Sequence, residues 1–175
     1  RFTLWSGSGG VHRQRDALAG VLGVAPERVR IVNRDVGGSF GTRNNFTVES
    51  GLVCWASKRV GRPVKWLSDR SECFLSDYQG RDLTADAELA LDAEGRFLAL
   101  RASIVGDVGA HAVSLVQVRK TAGLLTGNYR VPAAHARARA VATNTVPTTS
   151  YRSAGRPEAM FVMERLIELA ACKLG

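Results

Sequence analysis

The stretch LTADAELALDAEGRFLALRASI, residues 83–104, decides the fold. Leu83, Ala85, Ala87, Leu89 and Leu91 alternate with Thr84, Asp86, Glu88 and Ala90. Asp92-Ala93-Glu94-Gly95 has turn chemistry, and Leu98, Leu100, Ala102 and Ile104 alternate on the way back. A period of two over this length predicts an antiparallel pair with one wet face.

Around this hairpin the pattern turns mixed. Towards the N-terminus, Phe2 to Trp5 reads as a strand that runs into the turn Gly7-Ser8-Gly9-Gly10. A helix is expected from about Arg13 to Leu22, with Ala17, Leu18, Val21 and Leu22 on its buried face and Gly23 as its stop. Val29, Ile31 and Val36 predict a strand, and Thr47 to Arg59 a helix buried through Val48, Leu52, Trp55 and Ala56. Val64 to Leu67 reads as a short strand, and Asp69 as the cap of a short helical segment. Beyond the hairpin, Ser114 to Leu125 is expected to be helical and Ala134 to Ala142 a strand. A last helix opens with Pro157 and Glu158 and packs through Val162, Leu166, Leu169 and Ala170. The reading is an α/β (α+β) fold: a mixed sheet with an antiparallel hairpin and packed helices, as one domain over 1–175.

Composition excludes several classes. The 175 residues are 45% hydrophobic and 23% charged, enough for a packed core and unlike a disordered chain. No apolar run approaches the length of a bilayer span. The formal charge is +8. The basic residues are dispersed, however, and no aromatics interleave with them, which argues against a nucleic-acid platform. The three cysteines, Cys54, Cys73 and Cys172, fit no zinc or redox spacing, so reduced thiols in a cytoplasmic protein are expected. His12, His111 and His135 show no metal-ligand spacing. The ends, with no initiating methionine and a stop just after a helix, read as cuts within a longer protein.

Two loops have a composition suited to anions. In Gly37-Gly38-Ser39-Phe40-Gly41, glycine lets a backbone come close to a ligand and turn its N–H groups towards it. A tight strand-to-helix turn explains the same residues. In Tyr151-Arg152-Ser153-Ala154-Gly155-Arg156, two arginines flank small residues at a helix start. They suit either an oxyanion or a capping turn at the surface.

In combination, three segments resemble the molybdopterin-binding large subunit of the xanthine dehydrogenase, aldehyde oxidase and aerobic carbon monoxide dehydrogenase family. They are VHRQRDALAGVLGVAPERVRIVNRDVGGSFGTRNN (11–45), GRPVKWLSDRSE (61–72) and YRSAGRPEAMFVMERLIELAA (151–171). The resemblance implies oxidation of an aldehyde, N-heterocycle or similar small substrate, with water as oxygen source. It implies a molybdenum–molybdopterin cofactor, in its cytosine dinucleotide form, with iron–sulfur clusters and FAD on partner subunits or domains. The cofactor-binding residues it implies are Gly38, Ser39, Phe40, Gly41 and Arg152. Phe40 and Arg152 would lie near molybdenum through their backbones, not as ligands.

Asn44, Ala154 and Lys120, or Arg119 beside it, match substrate-facing positions. No catalytic residue is expected within these residues, because the family's catalytic glutamate lies further along, and the isolated chain is expected to be inactive. Departures from the family pattern bear on substrate. Gly9 stands where a glutamine is usual, Asn44 where the purine enzymes carry glutamate, and Ser153 where carbon monoxide dehydrogenases carry a copper-binding cysteine. The two loops are expected to meet at one cofactor. The competing reading is a non-catalytic basic module binding RNA or an acidic protein.

Overall fold

The computed structural model describes residues 1–175, which form two compact units, Arg1–Asp77 and Tyr78–Gly175.

The first unit is built on a strand–helix–strand crossover. β1 (Phe2–Trp5) and β2 (Val29–Val32) pair in parallel, and α1 (Val11–Leu22) connects them. Parallel neighbours need such a crossover. Gly23 ends α1 in the left-handed conformation, with its N–H returned to the last turn. Leu4, Leu18, Ala19, Val29 and Cys54 form the core. The strand at Val29 stops at Val32 and does not reach Val36. Burial in α1 runs through Gln14, Leu18 and Ala19, while Val21 is exposed; Gln14 turns inward and accepts a hydrogen bond from Ser6 Oγ at 2.9 Å.

The second helix of this unit, α2 (Val48–Val60), corrects the expected stripe. Val48, Leu52 and Trp55 are exposed, and the buried residues are Ser50, Gly51 and Cys54. Close approach decides this. A Cβ at Gly51 would lie 3.3 Å from Val21 Cγ1 on α1 and 3.6 Å from Phe46 Cζ, so only a small-residue face fits there. Trp55 instead carries the Arg59 guanidinium over its ring, 5.5 Å from the centroid. Residues 64–67 form no strand, since no neighbour pairs with them. The cap at Asp69 forms as expected: its carboxylate accepts the Glu72 N–H at 2.8 Å and starts α3 (Arg70–Ser76).

The second unit holds a mixed three-stranded sheet in the order β3–β4–β5. β3 (Leu83–Leu91) and β4 (Phe97–Gly109) are the expected antiparallel hairpin. One detail differs. The register shifts between Ala90 and Leu91, so Leu91 faces Phe97 and Leu98 is bulged out, 48% exposed. Phe97 takes the core place and meets the Tyr129 ring edge-on at 5.7 Å. The chain then crosses through α4 (Val116–Gly123) to β5 (Ala133–Ala142), which runs parallel to β4 and is exposed along its whole length. α5 (Arg156–Leu174) closes the core of Leu100, Ala102, Ile104, Leu125 and Met163. Its inward residues are Ala159 and Met163, flanked by Val162, Leu166 and Ile167, whereas Leu169 turns outward.

The connection after β5 is tied to β4 by Asp107. Its carboxylate accepts from Gly109 N–H at 2.7 Å, from Thr143 Oγ1 at 2.8 Å and from Thr145 Oγ1 at 2.9 Å. These donors, Gly109 first, hold the carboxyl below its usual range. The native state therefore binds this proton more weakly than the unfolded chain. The stabilisation is present above the ordinary aspartate range and is lost as pH falls through the lowered value. Asp107→Asn is expected to flatten the acid side of a melting-temperature-against-pH curve. Parallel curves for the two proteins would contradict this.

No helix is long and apolar enough to cross a membrane. Cys54, Cys73 and Cys172 are unpaired, and burial pushes the Cys54 thiol up.

Candidate functional site

The first unit brings its two glycine-rich loops together. Gly9 N–H donates to Arg43 O at 2.9 Å, and Asn33 Nδ2 donates to Ser8 O at 2.6 Å. Ser39 Oγ donates to Asn44 Oδ1 at 3.0 Å. A Cβ at position 9 would overlap Asn44 Oδ1 and lie 2.7 Å from Ser39 Oγ, both ends of side chains, so a larger residue there requires these two to turn aside. Gly9 and Asn44 are thus neighbours in space. Sequence spacing gives no sign of this pairing, since the residues are 35 positions apart.

The loop 37–41 has an unusual backbone. Gly37, Gly38, Phe40 and Gly41 have φ of 70°, 116°, 51° and 109°. Phenylalanine seldom adopts such a value, and strain of this kind collects at functional sites. Phe40 is 55% exposed. A Cβ at Gly38 would lie 2.7 Å from the Phe40 ring, so the ring folds back over bare backbone. The N–H groups of Gly38, Ser39, Phe40 and Gly41 donate to nothing within the chain. The loop does not open α2 directly, as the sequence predicts. A 3-10 turn at Thr42–Asn44 intervenes, started by Gly41. Its own free amides, not a long helix's N-terminus, are therefore what it offers to an anion.

The second unit holds the other loop. Ser153 has φ 70° and Gly155 has φ 84°. Gly155 lies against the backbone of α4: a Cβ there would be 2.6 Å from Gln117 O, 2.7 Å from Lys120 Cβ and 2.8 Å from Thr121 N. Thr121 Oγ1 reaches both Gln117 O at 2.8 Å and Gly155 O at 3.2 Å. Of the residues Arg119 and Lys120, it is Lys120 that stands beside this loop, while Arg119 is exposed. Ala154 is buried, Arg152 and Ser153 are exposed, and Pro157 is the second residue of α5. Asn44 is exposed on its 3-10 turn.

Arg81 is absent from any sequence-based choice of site residues, yet it braces the loop. It donates to the Arg152 carbonyl, pairs with Glu158 at 3.2 Å, and stacks 4.9 Å from the Tyr151 ring centroid. The one available signal is the pair Gly80-Arg81 just ahead of a strand, and nothing in its spacing points 70 residues onward.

Exposed, strained backbone with free donors in 37–41 fits an anionic ligand held by main-chain groups. No group of histidine, cysteine or carboxylate side chains is arranged to hold a metal ion. The whole chain, residues 1–175, matches the molybdopterin cofactor-binding domain family, and it belongs to that family.

It is 39% identical over 168 residues to the 6-hydroxypseudooxynicotine dehydrogenase complex subunit gamma of Paenarthrobacter nicotinovorans, covering 94% of this chain and 21% of that protein. It is 37% identical over 170 residues to the carbon monoxide dehydrogenase large chain of Hydrogenophaga pseudoflava, covering 93% of this chain and 21% of that one. Among solved structures, quinoline 2-oxidoreductase from Pseudomonas putida 86 superposes with a TM-score of 0.92 at 34% identity, over 99% of this chain and 22% of the other. The chain thus spans about a fifth of the length of the relatives it matches. The alternative of a non-catalytic basic module finds no support in these matches.

Proposed function

We propose that these residues form part of the cofactor site of a molybdenum hydroxylase that oxidises an aldehyde, an N-heterocycle or a similar small molecule. The observation that carries the reading is the exposed loop Gly37–Gly41, with positive φ at Gly37, Gly38, Phe40 and Gly41 and free amides at residues 38–41, in a chain of this family. When bound, the molybdenum–molybdopterin cofactor supplies a two-electron oxidation with water as the oxygen source. This chain's residues bind and orient it. The N–H groups of Gly38, Ser39, Phe40 and Gly41 act as donors to its anionic parts, and Arg152 is a further cofactor-binding residue. Phe40 and Arg152 stand near the metal through their backbones. Asn44, Lys120 and Ala154 face the substrate. The matched names of relatives, a dehydrogenase complex subunit and a quinoline oxidoreductase, support this reading.

Further parts of the reading follow the family. The cofactor is the cytosine dinucleotide form, iron–sulfur and flavin subunits or domains carry electrons away, and the compartment is the cytoplasm. The isolated 175-residue chain is inactive, since the proton-transferring carboxylate comes from elsewhere in a longer polypeptide.

The full-length protein is expected to reduce an artificial dye with aldehydes or N-heterocycles in 18O-labelled water and to place the label in the product. Product free of label overturns the hydroxylase reading. A second expectation concerns Ser153, which is exposed and in the left-handed region. A hydroxyl is a poor ligand for soft copper, so the purified holoenzyme should contain no stoichiometric copper. One copper per molybdenum together with carbon-monoxide-dependent dye reduction would contradict this.

A further inference from the structure

Arg81 occupies a backbone conformation, φ 61°, that side chains rarely adopt. Its guanidinium is used in three directions at once: the Glu158 carboxylate, the Arg152 carbonyl and the face of Tyr151. Gly80 contributes to the same brace, since a Cβ there would be 2.8 Å from Tyr151 Cβ. The Glu158 side chain is 9% exposed, and its second oxygen, Oε2, is buried without a partner. Arg81 is thus the charge that compensates it.

The consequence lies in the peptide that joins Arg152 to Ser153. The chain has no cis peptide bond, so the C=O of Arg152 and the N–H of Ser153 share a plane and point in opposite directions. Arg81 holds that carbonyl towards itself. The Ser153 N–H therefore projects away from Arg81, and it donates to nothing within the chain. From this geometry we infer that Arg81 is a positioning residue, which locks the Arg152–Ser153 peptide so that the Ser153 N–H is presented to the bound cofactor. The inference rests on the cofactor reading above. Arginine is needed because its planar fork serves a carboxylate and a carbonyl together, which an ammonium cannot do in the same geometry.

The test uses the full-length protein. Arg81→Gln combined with Glu158→Gln removes the arginine without stranding a buried charge, so the fold should persist. Molybdenum per polypeptide should then fall at least about tenfold, equivalent to roughly 1.4 kcal/mol of binding, or the Mo(V) electron paramagnetic resonance signal should change its g-values. Arg81→Lys should move the same readouts in the same direction by less. A folded double variant with wild-type molybdenum content and an unchanged spectrum overturns the role of Arg81. Should the double variant fail to fold, Arg81→Lys decides: wild-type content and spectrum there overturn it equally. A wild-type protein that holds no molybdenum overturns the cofactor reading itself, and the inference with it.

Discussion

Gly155→Val is expected to cost the second unit roughly 3–5 kcal/mol, the sum of backbone strain and overpacking. Two independent penalties meet at this residue. Its φ of 84° is hostile to any β-branched side chain. Its Cβ would also fall 2.6 Å from the Gln117 carbonyl and 2.8 Å from the Thr121 amide, both backbone atoms of α4. Backbone cannot swing aside as a side-chain end can, so either α4 or the loop 151–155 must leave its place. Domains are stable by only about 5–15 kcal/mol, so this loss brings the unit near unfolding. Urea denaturation gives the value. A change within about 0.5 kcal/mol, as for an ordinary surface site, would mean that the loop is not packed on α4 as described.

The second large effect is on cofactor content. Gly41 has φ 109° and ψ −44° and starts the 3-10 turn after the loop. Valine cannot hold that conformation without strain of about 1–3 kcal/mol, so Gly41→Val should redirect the free amides of residues 38–41. In full-length protein the variant is expected to fold and yet lose at least about tenfold in molybdenum occupancy. The strain is local, because the 3-10 turn is short and Phe40 is exposed rather than part of a core. Unchanged molybdenum in a folded variant would leave Gly37–Gly41 as a mere turn.

The features legible from sequence were those with a strict local rule. Period-two alternation located the hairpin of β3 and β4, and capping chemistry located Asp69 and Gly23. The apolar pattern misleads where packing overrules it. α2 buries Ser50, Gly51 and Cys54, because a small face admits α1, and it leaves Val48, Leu52 and Trp55 outside. Leu98 follows the alternation but is expelled by a bulge that sequence does not mark. At the candidate site, the glycine-rich composition revealed the loops but not what holds them. Asn44 against Gly9, and Arg81 against Arg152, are contacts between distant residues. No periodicity encodes such contacts; they follow from the course of the whole chain.

The molybdenum–pterin cofactor proposed for this domain can be sought directly. Its most direct test is the metal and pterin content of the full-length protein, purified from molybdate-fed cells that assemble the cofactor. One molybdenum and one pterin per polypeptide, retained through gel filtration, are expected. Folded protein from such cells that carries neither would contradict this.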